Sequence, residues 1–424
     1  MFTTKPLVAA LLTVAATQAF AADNTSTQHQ NGVDNLAQVE QHAGRSNSAA
    51  QSQTGQANEA LIQQNGSLSS SATQTQSDEA HQADITQTFT VRSNAEQAQQ
   101  GVGNQASINQ NGTWDSRAEQ HQQGSSNGAS SDQLGTYDAS SIVRQQGSYN
   151  DASSLQTVAR GSDLTINQGG YRNEATFRQT LSSQDRGMID QQGEYNVAAI
   201  SQNLSVGSVA EVEQLGSANS ADVRQSGIRH ESYSYSEGAY NVIGVDQLGS
   251  AHDAFVYQQG VDNVADVGQR GVGHTAEANQ HGELNSVAID QSGRDNVAEV
   301  GQYGSYNIAT VDQRGQLNGL NFDQYGNGNQ LAAVQQGKGN RITGSSRDAG
   351  NSVDIAQDGD FNVAEIDQVG TLNEAYVSQY GQDHLASVSQ FGFNHSATID
   401  QSSTGNNALI MQQGSNNMAV VTQH

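Results

Sequence analysis

The chain has 424 residues, a formal charge of −26, and only 34% hydrophobic and 5% aromatic residues. That composition cannot fill several conventional globular cores, and the acidic excess excludes a basic surface for nucleic-acid phosphates. Gln, Asn, Ser, Gly and Ala dominate, which is the profile of a low-complexity chain, so any order must reside in the spacing.

At the N-terminus, Lys5 precedes a short apolar run over residues 7–16, and Ala19-Phe20-Ala21 supplies a small-x-small cleavage pattern. This predicts a secretory signal peptide over residues 1–21 and a mature, exported chain starting at Ala22. The run is too short to span a bilayer. No Cys is present, so an exported chain would fold without disulfides and holds no thiolate metal site. The sole Pro is Pro6, which leaves the remainder free to form uninterrupted strand ladders. Residues 22–29 form a short segment before the first repeat.

From Gln30 onward, steps of eleven and twelve residues alternate through Gln41, Gln53 and Gln64 to Gln145, Gln156, Gln168, Gln179, Gln191, Gln202 and Gln214. Eleven-residue steps follow, through Gln225, Gln247, Gln258, Gln269, Gln280, Gln291, Gln302, Gln313, Gln324, Gln357, Gln368, Gln379 and Gln390 to Gln423. Only Ser236 and Ser346 interrupt the series. Six residues before the Gln in most units stands Asn or Ser, as at Asn173, Asn196, Asn219, Asn296, Asn307, Asn362 and Asn373. In many units Ala stands four before it (Ala298, Ala309) and Val, Ile or Phe two before it (Val300, Val311). Asn, Ala, Val and Gln at every second residue describe a strand with one inward face.

Gly170, Gly193, Gly216, Gly293, Gly304 and Gly315 each lie two residues after a Gln, where they predict a tight turn. The extra residue of the twelve-residue steps falls between Gln and the next Asn or Ser, so the turn absorbs it and the strand keeps its parity. Two units make one coil. The expected fold is all-β: a two-sheet parallel β-solenoid of cross-β type, with strand-turn-strand coils of 22–23 residues and about 17–18 coils. A three-sided β-helix suits two equal half-units less well. At roughly 4.8 Å per coil the rod would be on the order of 85 Å long. Residues 30–213 would carry 23-residue coils with a more polar core (Gln51, Gln74, Gln97, Gln120 and Ser131 replace Val or Ile). Residues 214–424 would carry 22-residue coils with a more apolar core.

A buried amide without partners costs about 1–3 kcal/mol. In-register stacking removes that penalty, because each Gln bonds to the Gln one coil above and below, as in amyloid ladders. On this reading Val and Ile drive collapse while Gln and Asn set register. The first unit, QNGVDNLAQVEQ, and the last, QQGSNNMAVVTQ, are ordinary repeats without a cap, which predicts head-to-tail addition of subunits.

Residues 162–179 read SDLTINQGGYRNEATFRQ. The pattern S-x5-Q-x-G-x-x-N-x-A-x3-Q is met by Ser162, Gln168, Gly170, Asn173, Ala175 and Gln179. It resembles the curlin repeat of curli amyloid fibres, and the resemblance runs from about Gln30 to the C-terminus. The resemblance implies a structural subunit, not an enzyme, of an extracellular surface fibre (a fimbrium) of a Gram-negative bacterium. Such a fibre supports biofilm matrix, adhesion and cell aggregation. The implied partners are the protein itself, a nucleator subunit, an outer-membrane secretion pore and periplasmic accessory proteins; no cofactor or nucleic acid is implied. The array is over three times longer than that of curli major subunits, and it lacks their Gly-rich N-terminal segment. The nucleator itself and a monomeric surface solenoid adhesin are the alternative readings.

Other features read as structure. His230, His252 and His274 recur at 22-residue spacing in the Asn position and should stack there; a metal site is the competing reading. Asp290 and Asp312 fall one coil apart on the outer face, either slowing assembly through repulsion or simply forming a solvated face. Gly271 lies in Gly-Val-Gly-His, which lacks the Lys and the strand-to-helix context of a phosphate loop. Trp114 is expected to face outward.

Overall fold

Residues 23–424 are described by a computed structural model; the signal peptide and cleavage site expected at residues 1–21 lie outside the described residues. The described residues form 36 strands and no helix. Odd-numbered strands in chain order make one parallel sheet and even-numbered strands the other, each of 18 strands. Every strand except the first and last of each sheet therefore pairs with the strands two before and two after it. Both stacks are linear: Leu36–His42 pairs with Glu59–Asn65, and Met418–Gln423 with Ser396–Thr404. This is a two-sheet solenoid of 18 coils.

The strands form for the reason their alternation gives. In Val297–Ser305, Ala298, Val300 and Gln302 are buried, while Val297, Tyr303 and Ser305 keep contact with solvent. Parallel pairing sets each residue beside its repeat equivalent, as in Ala298↔Leu320, Val300↔Phe322 and Gln302↔Gln324. Identical or similar side chains consequently form columns along the rod. Each fully buried Val or Ile contributes roughly 1.5–3 kcal/mol.

Two turn designs close the coils. In eleven-residue units the strand continues through the glycine to Gln+3, and the chain reverses at the next residue, which is left-handed: Asp295 (φ 53), Tyr306 (φ 60), Leu317 (φ 56). The glycines expected to be the turn are thus the bend before it. Gly293, Gly304 and Gly315 have φ of 109, 132 and 119. A Cβ on Gly304 would lie 2.0 Å from the carbonyl oxygen of Gly326 in the next coil, so close axial stacking demands the glycine. The twelve-residue units use a different corner. After Glu174–Thr180 the chain is left-handed twice, at Leu181 (φ 52) and Gln184 (φ 58), with an isolated bridge Arg160↔Ser183 between coils. The extra residue is housed there, and the pairing shifts from 23 to 22 residues after Gln202–Gln225.

The apolar core is in two pieces. One runs from Ala129 to Ile410, and a smaller one joins Ala49, Ile62, Ala72, Ile85, Ala95, Ile108 and Ala118. The change in core chemistry, between Gln120 and Val143, therefore comes several coils before the change in coil length. Within the larger core, small residues are compensated by large neighbours. Phe177 occupies the space over Gly187, and Phe322 that over Gly344.

Candidate functional site

An open groove of about 930 Å³ runs over the outer face of the odd-numbered sheet beside Ala98, His121, Arg144, Asn167 and Asp190, and the repeated chemistry lies in columns parallel to the rod axis. In the even-numbered sheet, Gln179 Nε2 donates to Gln202 Oε1 at 2.9 Å, and the ladder climbs through Gln225, Gln247, Gln269, Gln291, Gln313, Gln335, Gln357 and Gln379 to Gln401 at 2.7–3.0 Å. In the odd-numbered sheet, Gln168, Gln191 and Gln214 form one run, Gln258, Gln280, Gln302 and Gln324 another, and Gln368, Gln390 and Gln412 a third, at 2.7–2.9 Å. Ser236 and Ser346 separate the runs. The second amide hydrogen goes across the core to the facing sheet, as from Gln302 to the Ser286 carbonyl at 3.0 Å and from Gln313 to that of Val297 at 2.9 Å. Every Gln-to-Gln bond points the same way, from the lower-numbered coil to the higher, so the Gln ladder has an axial polarity.

The Asn columns lock the turns. The backbone N–H and Nδ2 of Asn307 both donate to Asn285 Oδ1 at 3.1 Å, and Nδ2 also reaches the Gly326 carbonyl at 2.9 Å. Asn173, Asn196 and Asn219 repeat the pattern, each accepting from the next through Oδ1 and holding Gly193, Gly216 and Gly238 through Nδ2. Asn362 and Asn373 hold Gly381 and Gly392 in the same way, and Asn296 holds Gly315. One side chain thereby ties three coils and the bend glycine of the coil above.

Histidine substitutes for Asn in these columns. The rings of His230, His252 and His274 stack at 5.0 and 4.9 Å with interplanar angles of 15° and 7°. Nε2 of each faces a backbone carbonyl, of Ser226, Leu248 and Arg270, at 3.0–3.1 Å, and must donate to it. Nδ1 accepts the backbone N–H one coil up, from His252, His274 and Asn296. Both nitrogens are thus committed with the ring neutral, an imidazole imitation of the Asn amide. Burial pushes all three pKa values down, that of His252 to about 4, with the flanking rings adding to the shift. Among the described residues, no group of three or more His, Asp or Glu is arranged to hold a metal.

Two columns were not foreseen from sequence. Gln28, Gln51, Gln74, Gln97 and Gln120 make a second inward ladder at 2.9–3.0 Å, which ends on Ser131 Oγ. Its signal was the 23-residue spacing of those polar substitutions. On the outer face, Tyr235, Tyr257, His281, Tyr303 and Tyr325 stack with centroids 4.7–5.6 Å apart, and the Arg347 guanidinium covers the last ring at 5.7 Å. Trp114 is 52% exposed. Asp290 and Asp312 are register partners, but Arg314 pairs with Asp312 and offsets part of their repulsion.

Comparison with known families agrees with this geometry. The profile of the curlin associated repeat matches residues 282–315, 362–392 and 394–424, which contain the columns through Gln291, Gln302, Gln313, Gln368, Gln379 and Gln390. No curated protein matches the chain. Repeat pattern, coil geometry and profile match agree over these segments: residues 282–315, 362–392 and 394–424 carry the curlin associated repeat.

Proposed function

We propose that the protein is a structural subunit of an extracellular curli-like amyloid fibre and assembles head-to-tail by stacking one subunit's coils on another's. The observation that supports this most directly is the axial identity of the coils. Each presents the same Gln, Asn and backbone groups upward as its neighbour receives from below, so a coil of a second copy satisfies them equally well. The one-way amide ladder favours parallel, head-to-tail addition, since reversal sets donor against donor. The ladder Gln and Asn residues act as register determinants, within and between subunits. The family and the fold are structural rather than enzymatic.

The same reading places the protein outside the cell, as fibre mass in a biofilm matrix. Residues 1–21 serve as the export signal. A nucleator, a secretion pore and periplasmic accessory proteins are its partners. Residues 30–213 and 214–424 act as the 23-residue-coil and 22-residue-coil segments of one rod, whose core is most polar in the coils up to about Gln120. The test is electron microscopy of the purified mature protein, with thioflavin binding followed over time. Fibres with a cross-β repeat of about 4.8 Å along their axis are expected. Protein that stays monomeric for days at micromolar concentration refutes the assembly.

A further inference from the structure

The strand Glu231–Ala239 reads ESYSYSEGA and differs inward from every other strand. Ser232, Ser234 and Ser236 stand where the repeat has Ala, Val and Gln, and all three are 0–1% exposed. Their register partners are of ordinary size: Ala210, Val212 and Gln214 in the coil below, Ala254, Val256 and Gln258 in the coil above. None of the three hydroxyls has a hydrogen-bond partner, and neither has Gln258 Oε1, the acceptor that a Gln at position 236 would serve. These four atoms make up all but one of the buried side-chain polar atoms left unpaired among the described residues; the other, His281 Nδ1, belongs to the outer aromatic column. Gln214 Nε2 likewise reaches only the Val197 carbonyl at 3.1 Å, with no ladder acceptor above it.

At the other interruption Gln324 Nε2 is left in the same state, reaching only the Ile308 carbonyl at 3.1 Å, but no hydroxyl or amide oxygen is orphaned. Ser346 Oγ donates to Gln368 Oε1 at 2.9 Å, and Phe322 fills the space left by Gly344. At Ser236 no aromatic side chain moves in, and Ser is too short to bridge Gln214 and Gln258. Leaving four buried polar atoms unpaired would cost about 1–3 kcal/mol each, and a small polar cavity with several convergent partners is the setting in which a protein retains internal water.

We infer that the coil containing Ser232, Ser234 and Ser236 encloses an internal water site, in which ordered water bridges the three hydroxyls, Gln258 Oε1 and the free Nε2 hydrogen of Gln214. Water there replaces the missing rung of the ladder. Because water exchanges where a side-chain amide does not, this coil is also where the odd-numbered sheet yields, between the run ending at Gln214 and the run starting at Gln258.

A high-resolution density map of the assembled full-length mature chain, paired with backbone hydrogen exchange, tests this. The map should show ordered solvent within hydrogen-bonding distance of Ser236 Oγ and Gln258 Oε1. Amides in Val209–Ser217, Glu231–Ala239 and Asp253–Val261 should exchange about tenfold faster than their equivalents around Ser346, the equivalent of one lost buried hydrogen bond. S236Q should displace the solvent, complete the ladder and slow that exchange about tenfold. S236A, which restores neither reach nor donor, should leave it fast. A dry site with the hydroxyls bonded directly to backbone, or exchange unchanged or faster in S236Q, overturns the inference.

Discussion

Acidification should weaken the coils around His252, and the structure sets both sign and size. In the neutral ring Nε2 donates to the Leu248 carbonyl while Nδ1 accepts the His274 N–H. Protonation puts a hydrogen on Nδ1, facing that N–H, and a charge between the His230 and His274 rings. No carboxylate is among the causes of its shift, whereas Asp295 partly supports a charge on His274. The pKa falls from 6.5 to about 4, so between those values the unfolded chain binds more protons and stability drops as pH falls. The stabilisation is complete above pH 6.5 and gone below about 4. At 1.36 kcal/mol per unit the loss is at most about 3 kcal/mol.

Carboxyls such as the buried Asp185 and the half-buried Asp253, whose pKa values are raised by desolvation, act in the opposite direction, so the comparison must be internal. H252N keeps an acceptor in the column and removes the titration. Denaturant unfolding of both proteins at pH 7 and pH 4 should show the wild type losing about 2–3 kcal/mol more than the variant. Equal losses in the two proteins would refute the neutral-imidazole account.

Three further outcomes follow from the columns. Q302A should strip Gln280 of its acceptor and Gln324 of its donor, for a loss of about 2–5 kcal/mol in unfolding free energy; a loss under 1 would mean the ladder is not under stress. G304A should abolish ordered coils locally, seen as lost exchange protection, because its Cβ meets the next coil's carbonyl, whereas G319A, with nothing within 4 Å, should be silent; equal behaviour contradicts the close-stacking argument. Limited proteolysis should leave a core from the C-terminal segment, where the apolar cluster is continuous, and a surviving fragment confined to residues before Gln120 would contradict this.

Much of this was legible in one dimension because a solenoid repeats in one dimension. The Gln spacing gave the coil length, the alternation around Val300 and Val311 gave the inward face, and the 22-residue recurrence of His230, His252 and His274 gave their stack. What failed to read was conformational detail within the turn. Gly304 looked like the reversal itself, but the reversal belongs to Tyr306 (φ 60), since the backbone N–H there donates to the Glu283 carbonyl of the coil below. Nothing about Tyr in a sequence signals a left-handed residue.

The sequence by itself determined which residues face inward and which stack on which, because alternation fixes the inward face of each strand and the 22–23-residue recurrence sets each residue above its equivalent. Only the tertiary structure decided how the slack is taken up. It shows Phe322 covering Gly344, histidine taking over the bonds of Asn, and four polar atoms left without partners near Ser236. Those outcomes depend on distances between coils, where a gap of one or two ångströms separates a satisfied hydrogen bond from an orphaned one, and a linear pattern carries no distances.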